Sequence, residues 1–284
     1  MENNITLQEK FKELQQQKQA LLATNFYNFE TLKGVLQAAS TVKKPIILQL
    51  TKSSIEYMSL PVAKELAETM LKYYGVEGWI HLDHGDTYEL VARCLDAGFN
   101  SVMIDASEKP FDENVKITKK VVKLAEKYGA NVEAELGYVA KLGQKADKIG
   151  FTEPSEAKLF VEETGVNTLA VAIGSAHGFY KEEPKLDLER LSEINKVTNT
   201  ALVLHGASGI PHKILREAIQ RGVCKINLAT EIKNIFMKTL KNKLTHEDEI
   251  DLRKVFPYAT DAVTELVRDK LQAIQIESNP QINK

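Results

Sequence analysis

The chain is poor in cysteine: Cys94 and Cys224 are the only two in 284 residues. Two thiols make no disulfide framework, and the expectation is a pair of buried, reduced side chains, Cys94 in a helix and Cys224 beside a strand. Long apolar runs are missing too. None approaches the roughly 20 residues that a membrane span requires. The start, Met1-Glu2-Asn3-Asn4 and a glutamine-rich stretch, has neither the basic nor the apolar region of a secretory signal, so a cytoplasmic protein is expected. Charge of one sign is also absent. Lys+Arg number 37 against 39 Asp+Glu, a net of -2, which argues against nucleic acid or a membrane surface as partner. Small anionic substrates stay open, because local basic groups decide those. No Pro/Gly/Ser-rich linker breaks the composition, so 1–284 reads as a single domain.

What is present is an alternation. Short apolar runs at Leu21–Asn25, Pro45–Leu50, Gly78–Asp83, Ser101–Ile104, Asn131–Leu136, Thr168–Ile173, Ala201–His205 and Lys225–Leu228 have the continuous apolar character of parallel strands buried on both faces. Helical patterns lie between them, at Phe29–Ser40, Leu60–Tyr74, Thr87–Ala97, Glu113–Tyr128, Ser155–Thr164, Leu188–Thr198 and Pro211–Arg221, and Ile232–Lys243 and Tyr258–Ile276 follow the last strand. In Glu113–Tyr128, Val115, Ile117, Val121, Val122, Leu124 and Ala125 make one apolar stripe opposite lysines, and Gly129 stops the helix. Eight strand–helix units in series predict an α/β fold, a (β/α)8 TIM barrel. The segment 1–19 is expected to contribute a polar helix over the barrel bottom, and 277–284 a frayed tail.

On that frame Asn25, Gln49, Thr51, Asp83, His84, Asp105, Glu135, His177, His205 and Asn227 fall at or just past the C-terminal ends of strands, the face that carries the chemistry of such barrels. His84, His177 and His205 close three different apolar runs. Three neutral imidazoles there suit a catalytic zinc ion, each binding at about 2.0–2.1 Å and leaving one coordination position open. Asp83 is the candidate proton donor and acceptor. Neighbouring strand residues point to opposite sides, so Asp83 and His84 can share a pocket only if the chain turns at the strand end. Asp105 and Glu135, ending the next two strands, either hold a second or displaced metal position or bond only to the ligands. His81 reads as structural or as support for the ligands. Gly206-Ala207-Ser208-Gly209 follows the seventh strand, and Asn227-Leu228-Ala229-Thr230 follows the eighth and enters a helix. These are the two loops where such barrels usually cradle phosphate. Gly174-Ser175-Ala176-His177-Gly178 adds a third loop of small residues.

Taken together, His81-Leu82-Asp83-His84-Gly85, Ser101-Val102-Met103-Ile104-Asp105, Val132-Glu133-Ala134-Glu135-Leu136-Gly137, Ala172-Ile173-Gly174-Ser175-Ala176-His177-Gly178, Leu204-His205-Gly206-Ala207-Ser208-Gly209 and Lys225-Ile226-Asn227 resemble the class II, metal-dependent ketose-bisphosphate aldolases. The resemblance runs from Asn25-Phe26-Tyr27-Asn28 to the last helix. It implies reversible cleavage of fructose or tagatose 1,6-bisphosphate to dihydroxyacetone phosphate and glyceraldehyde 3-phosphate. Zn²⁺ on His84, His177 and His205 would bind the ketose carbonyl and the adjoining hydroxyl, and Asp83 would take the C4 hydroxyl proton. Gly178, Gly206, Ala207, Ser208, Asn227, Leu228, Ala229 and Thr230 would hold the phosphate of the dihydroxyacetone-phosphate half, with Asn25, Gln49 and Thr51 bordering the pocket. It further implies a monovalent cation (Na⁺ or K⁺) near the phosphate loops. An arginine from a neighbouring subunit, for which Arg268 is the candidate, would reach the far phosphate, hence a homodimer or homotetramer. Ala229, where the fructose branch more often has a polar residue, leans toward the tagatose branch.

One segment departs from the family. A Gly-Gly-x-Glu-Asp loop usually follows the Glu-Leu-Gly strand, and its glutamate exchanges the proton at C3. Here Tyr138-Val139-Ala140-Lys141-Leu142-Gly143-Gln144-Lys145-Ala146-Asp147 has no glutamate, and Asp147 is out of register. Glu108 stands where a histidine is common. The departure keeps open another phosphorylated sugar or sugar acid as substrate, a different metal-dependent reaction, or a low-activity or accessory barrel. The chemical rival is a Schiff-base aldolase, which needs a lysine of lowered pKa in the barrel. Lys225 is the candidate, but it opens its strand and should face the barrel bottom. Borohydride reduction in the presence of substrate is expected to leave the chain's intact mass unchanged, whereas a stable adduct on Lys225 would overturn the metal reading.

Overall fold

A computed structural model describes residues 5–137, 139–141, 150–180 and 184–275. Strands β1 (Leu21–Asn25), β2 (Ile46–Thr51), β3 (Gly78–Gly85), β4 (Ser101–Ile104), β5 (Asn131–Leu136), β7 (Thr168–Val171), β9 (Ala201–Leu204) and β10 (Val223–Leu228) close into one parallel barrel in the order β1-β10-β9-β7-β5-β4-β3-β2. Two residues each from β6 (Ala140–Lys141) and β8 (Ala176–His177) make a separate parallel pair. Helices α1 (Leu7–Gln17), α2 (Phe29–Val42), α3 (Lys52–Met58), α4 (Leu60–Tyr74), α5 (Tyr88–Asp96), α6 (Phe111–Ala125), α7 (Pro154–Thr164), α8 (Leu188–Val197), α9 (His212–Gln220), α10 (Thr230–His246) and α11 (Leu252–Ala273) complete the chain. The fold is the (β/α)8 barrel expected from the alternation. Among the described residues no helix is long and apolar enough to cross a membrane.

Side chains alternate across each strand. Leu22, Leu48, Leu50, Ile80 and Leu82 point outward into the main core beneath the helices. Leu21, Ala23, Ile47 and Trp79 point inward and form the barrel floor with Ala201 and Cys224. Helix α1 closes that floor with Leu7, Phe11 and Leu14. Thr6 starts the helix by a capping box with Glu9, each side chain bonding the other's backbone N–H. Above the floor the interior turns polar: Gln49, His81, Ser101, Asn131, Glu133, Thr168 and Lys225 are all buried.

Several expectations shift. Lys225 does not open its strand: β10 starts at Val223, and a register irregularity lies between Val223 and Lys225. Cys224 thereby joins the floor, while Lys225 lies inside the barrel in the polar layer rather than at its bottom. The strand from Thr168 ends at Val171, before the loop to His177. Helix α3 had no separate signal, being a single short segment that Thr51 caps through its side chain. Asp147 and the segment 277–284 lie outside the described residues.

Helix α11 packs along α2, and Gly34 sets how closely. A Cβ there would sit 2.7 Å from the Thr260 carbonyl oxygen and 2.9 Å from Val263 Cβ. Gly34→Ala gains roughly 0.5–1 kcal/mol of helix preference but overpacks a backbone contact, which typically costs about 1–3 kcal/mol. A net loss of stability is expected by denaturant unfolding; an unchanged or higher midpoint would contradict this packing.

Candidate metal centre

Strand β3 delivers two functional side chains because its end is irregular. The register against β4 shifts between Leu82 and Gly85, and His84 has φ 51°, the left-handed region that a histidine seldom adopts. This turn is what lets adjacent Asp83 and His84 border one pocket. Gly85, which follows, has no room for a Cβ, since one would meet the Met103 carbonyl oxygen at 2.6 Å.

The rings of His84, His177 and His205 converge. Their centroids lie 4.8 Å (His84–His205), 5.0 Å (His84–His177) and 5.8 Å (His177–His205) apart. With Glu135 they offer four donor atoms all within 4.8 Å of one another. Their chemistry suits a divalent metal: three imidazoles and a carboxylate, with His205 Nδ1 and Glu135 Oε2 buried and without a hydrogen-bond partner. Burial first, then the neighbouring imidazoles, push His177 down to about 3, which keeps its ring neutral, the form that a metal requires. Burial also opposes charge on His205, but the carboxylates of Glu133 and Glu135 outweigh it and carry the ring up to about 10. A cation bound at Nδ1 would meet the same two carboxylates.

Asp105 is not in this group of four. Its Oδ2 lies 2.7 Å from His84 Nδ1, and Ser107 donates to Oδ1 from both N and Oγ. Burial works against the Asp105 charge, but these bonds outweigh it and hold the carboxyl below its ordinary range. Asp105 thus orients His84 and leaves Nε2 for the shared point. Asp83 receives a bond from Asn25 Nδ2 at 2.8 Å on Oδ2, while its Oδ1 is buried without a partner. Burial opposes its charge too, yet His84, His205, Lys225 and the Asn25 bond together keep its carboxyl below the usual value. Thr51 stands opposite Asp83 in the β2–β3 register. Gln49 is fully buried with both amide atoms unpartnered, and Asn227 Oδ1 and Ser175 Oγ are likewise unpartnered.

The small-residue loops brace one another. Tyr180 Oη accepts from Ala176 N and donates to the Gly206 carbonyl oxygen, both at 2.8 Å. Gly206 has φ 67°, and a Cβ on it would come within 2.3 Å of the Ala176 carbonyl oxygen. Gly178 also has positive φ. Ala207 and Ser208 are buried, and Gly209 N donates to Glu231, which Lys270 of α11 holds at 3.1 Å. Leu228 accepts from Thr24 Oγ1, Ala229 from Tyr27 Oη, and Thr230 begins α10. Arg268 lies apart, half-exposed on α11 and paired with Glu265.

Sequence reading left Glu133 and Tyr180 without a role. Glu133 Oε1 lies 2.8 Å from His205 Nε2, and Lys225 Nζ lies 2.7 Å from Glu133 Oε2. The available signal was the pair Glu133 and Glu135 at i, i+2 in an apolar strand, which must share one face. Tyr180 carried no pattern.

A parallel barrel with a donor cluster and an adjacent carboxylate at its C-terminal mouth has the layout of a metal-site barrel enzyme. The sequence profile described as "Fructose-bisphosphate aldolase class-II" matches residues 5–279, and the chain belongs to that family. It is similar to the YdjI aldolase of Escherichia coli K12, at 32% identity over 94% of this chain and 96% of that one, with a TM-score of 0.85. It also resembles a putative fructose-1,6-biphosphate aldolase of Coccidioides immitis, at 28% identity, 96% and 97% coverage and a TM-score of 0.86. A fructose-bisphosphate aldolase of Campylobacter jejuni shares the fold, at 21% identity, 95% coverage of both chains and a TM-score of 0.80.

Gly206→Ala is expected to lose about 1–3 kcal/mol of stability, because its left-handed backbone and the contact with Ala176 both resist a side chain. Thermal unfolding reads this, and a wild-type midpoint would show that the two loops are not locked together.

Proposed function

We propose that the protein is a zinc-dependent aldolase that reversibly cleaves a phosphorylated ketose to dihydroxyacetone phosphate and an aldehyde. Fructose or tagatose 1,6-bisphosphate, which would yield glyceraldehyde 3-phosphate, is the leading substrate. The observation that carries this reading is the convergence of His84, His177 and His205 beside the unpartnered Oδ1 of Asp83. When bound by these three histidines, with Glu135 alongside, zinc supplies Lewis-acid polarisation of the ketose carbonyl and its adjoining hydroxyl. Asn25 fixes the Asp83 carboxylate through Oδ2 and leaves Oδ1 to receive the C4 hydroxyl proton. The C3–C4 bond then breaks, the aldehyde leaves, and the electron pair passes to the C2 carbonyl of the ketose half. C3 takes up a proton from solvent to give dihydroxyacetone phosphate, while Asp83 releases the proton it received. Condensation reverses each step, with Asp83 returning the proton.

The phosphate of the dihydroxyacetone-phosphate half is assigned to the loops of Gly178, Gly206, Ala207 and Ser208 and to Asn227, Leu228, Ala229 and Thr230, with Gln49 and Thr51 bordering the substrate. A monovalent cation near those loops, a homodimer or homotetramer in which Arg268 reaches the neighbouring site, and a cytoplasmic location complete the proposal. A second reading, cleavage of another phosphorylated sugar or sugar acid, is favoured by the sequence at 138–147, where the glutamate that usually serves C3 is missing.

Chelation is expected to abolish cleavage and Zn²⁺ to restore it. Asp83→Asn is expected to lower kcat by about 10²–10⁴-fold with zinc content unchanged. Failure of the fully metallated protein to cleave any ketose phosphate would end this reading.

A further inference from the structure

We propose that Lys225 is a positioning residue for the metal centre: through Glu133 it fixes the ring of His205, so that Nδ1 rather than Nε2 is presented to the metal. The inference rests on the reading of His205 as a ligand. The two ring nitrogens of His205 face different company. Nε2 points down, 2.8 Å from Glu133 Oε1. Nδ1 lies on the side of Glu135, 3.2 Å from Oε2, in a contact that is not a formed hydrogen bond. A carboxylate can only accept, so Glu133 requires a hydrogen on Nε2, and the Nδ1 lone pair is then the one left to ligate. His84 is set the other way round, with Nδ1 spent on Asp105. The two rings therefore offer opposite nitrogens to one point.

Glu133 is fully buried, where a lone carboxylate is strongly disfavoured. Lys225 Nζ, 2.7 Å from Oε2, supplies its counter-charge and is itself buried. The ammonium is aimed by a second contact, 3.3 Å from His81 Nε2. His81 in turn uses Nδ1 on Ser101 Oγ at 2.7 Å, and Asn131 Nδ2 donates to that same oxygen at 3.1 Å. The chain of contacts is thus anchored on β3, β4, β5 and β10, all walls of one barrel. Branched apolar residues fill such interiors routinely, and replacing a buried ion pair by apolar groups often costs no stability. Stability alone therefore does not account for this layer, whereas orienting a ligand does.

The test compares wild type with Lys225→Met, Glu133→Gln and the double variant, which deletes both charges and leaves none stranded. Zinc affinity is measured by competition with a chelator, and the ligand geometry by the visible spectrum of the Co²⁺-loaded proteins. The double variant is expected to fold, to bind zinc about ten- to a hundredfold more weakly, and to show a shifted Co²⁺ spectrum. Wild-type affinity and spectrum in the folded double variant would overturn the proposal by making the pair purely structural. Independently of any variant, isotope-labelled wild type loaded with cadmium is expected to show metal coupling at Nδ1 of His205 and Nε2 of His84. Coupling at Nε2 of His205 would overturn it. Wild type that binds no metal fails the aldolase reading itself, which keeps the two failures apart.

Discussion

Charged groups inside a closed parallel barrel have no water to fall back on, so each must find its partner among the inward-facing side chains of the other strands. In this chain the pair of Lys225 and Glu133 meets that requirement below the mouth. Glu133 spends one oxygen on Lys225 and the other on His205. The polar layer thus links the apolar floor closed by α1 to the donor cluster above it. His205 Nε2 faces Glu133, whose charge Lys225 balances.

The mouth is built by a second constraint, the backbone. Regular alternation would send Asp83 and His84 to opposite faces of β3. The left-handed conformation of His84 and the register shift beside it bring both to the pocket, at a local conformational cost borne by the surrounding packing. The loop of Gly206 needs the same kind of exception, and Tyr180 ties that loop to the strand that carries His177. The strain at His84, a non-glycine residue held at positive φ beside the donor cluster, fits the usual use of strain in enzymes, which is to hold donor atoms ready before the substrate arrives.

The strand-end polar residues were legible because parallel barrel strands are continuous apolar runs, and a polar residue closing one stands out. Their convergence was not legible in the same way. Asp105 and Glu135 look alike in sequence, each a carboxylate ending a strand, yet one backs His84 from behind and the other faces His205 within the donor group. Arg268, the candidate for a role between subunits, pairs with Glu265 on α11 within the single chain.

Periodicity and composition by themselves determined the alternating architecture, the barrel it closes into and the rim on which polar residues gather, while the family was legible only through the resemblance of the strand-end motifs. The first three follow from local rules: a two-residue period in strands, a 3.6-residue period in helices, and the scarcity of polar groups in buried runs. Only the tertiary structure decided which ring nitrogens of His84 and His205 the neighbouring carboxylates occupy, that Lys225 lies inside the barrel, and that Glu133 stands between that lysine and His205. Those depend on a bulge, a positive φ and contacts across the barrel between residues as much as 144 positions apart. No local pattern encodes them, because each is set by the partner that an unsolvated charge finds on another strand.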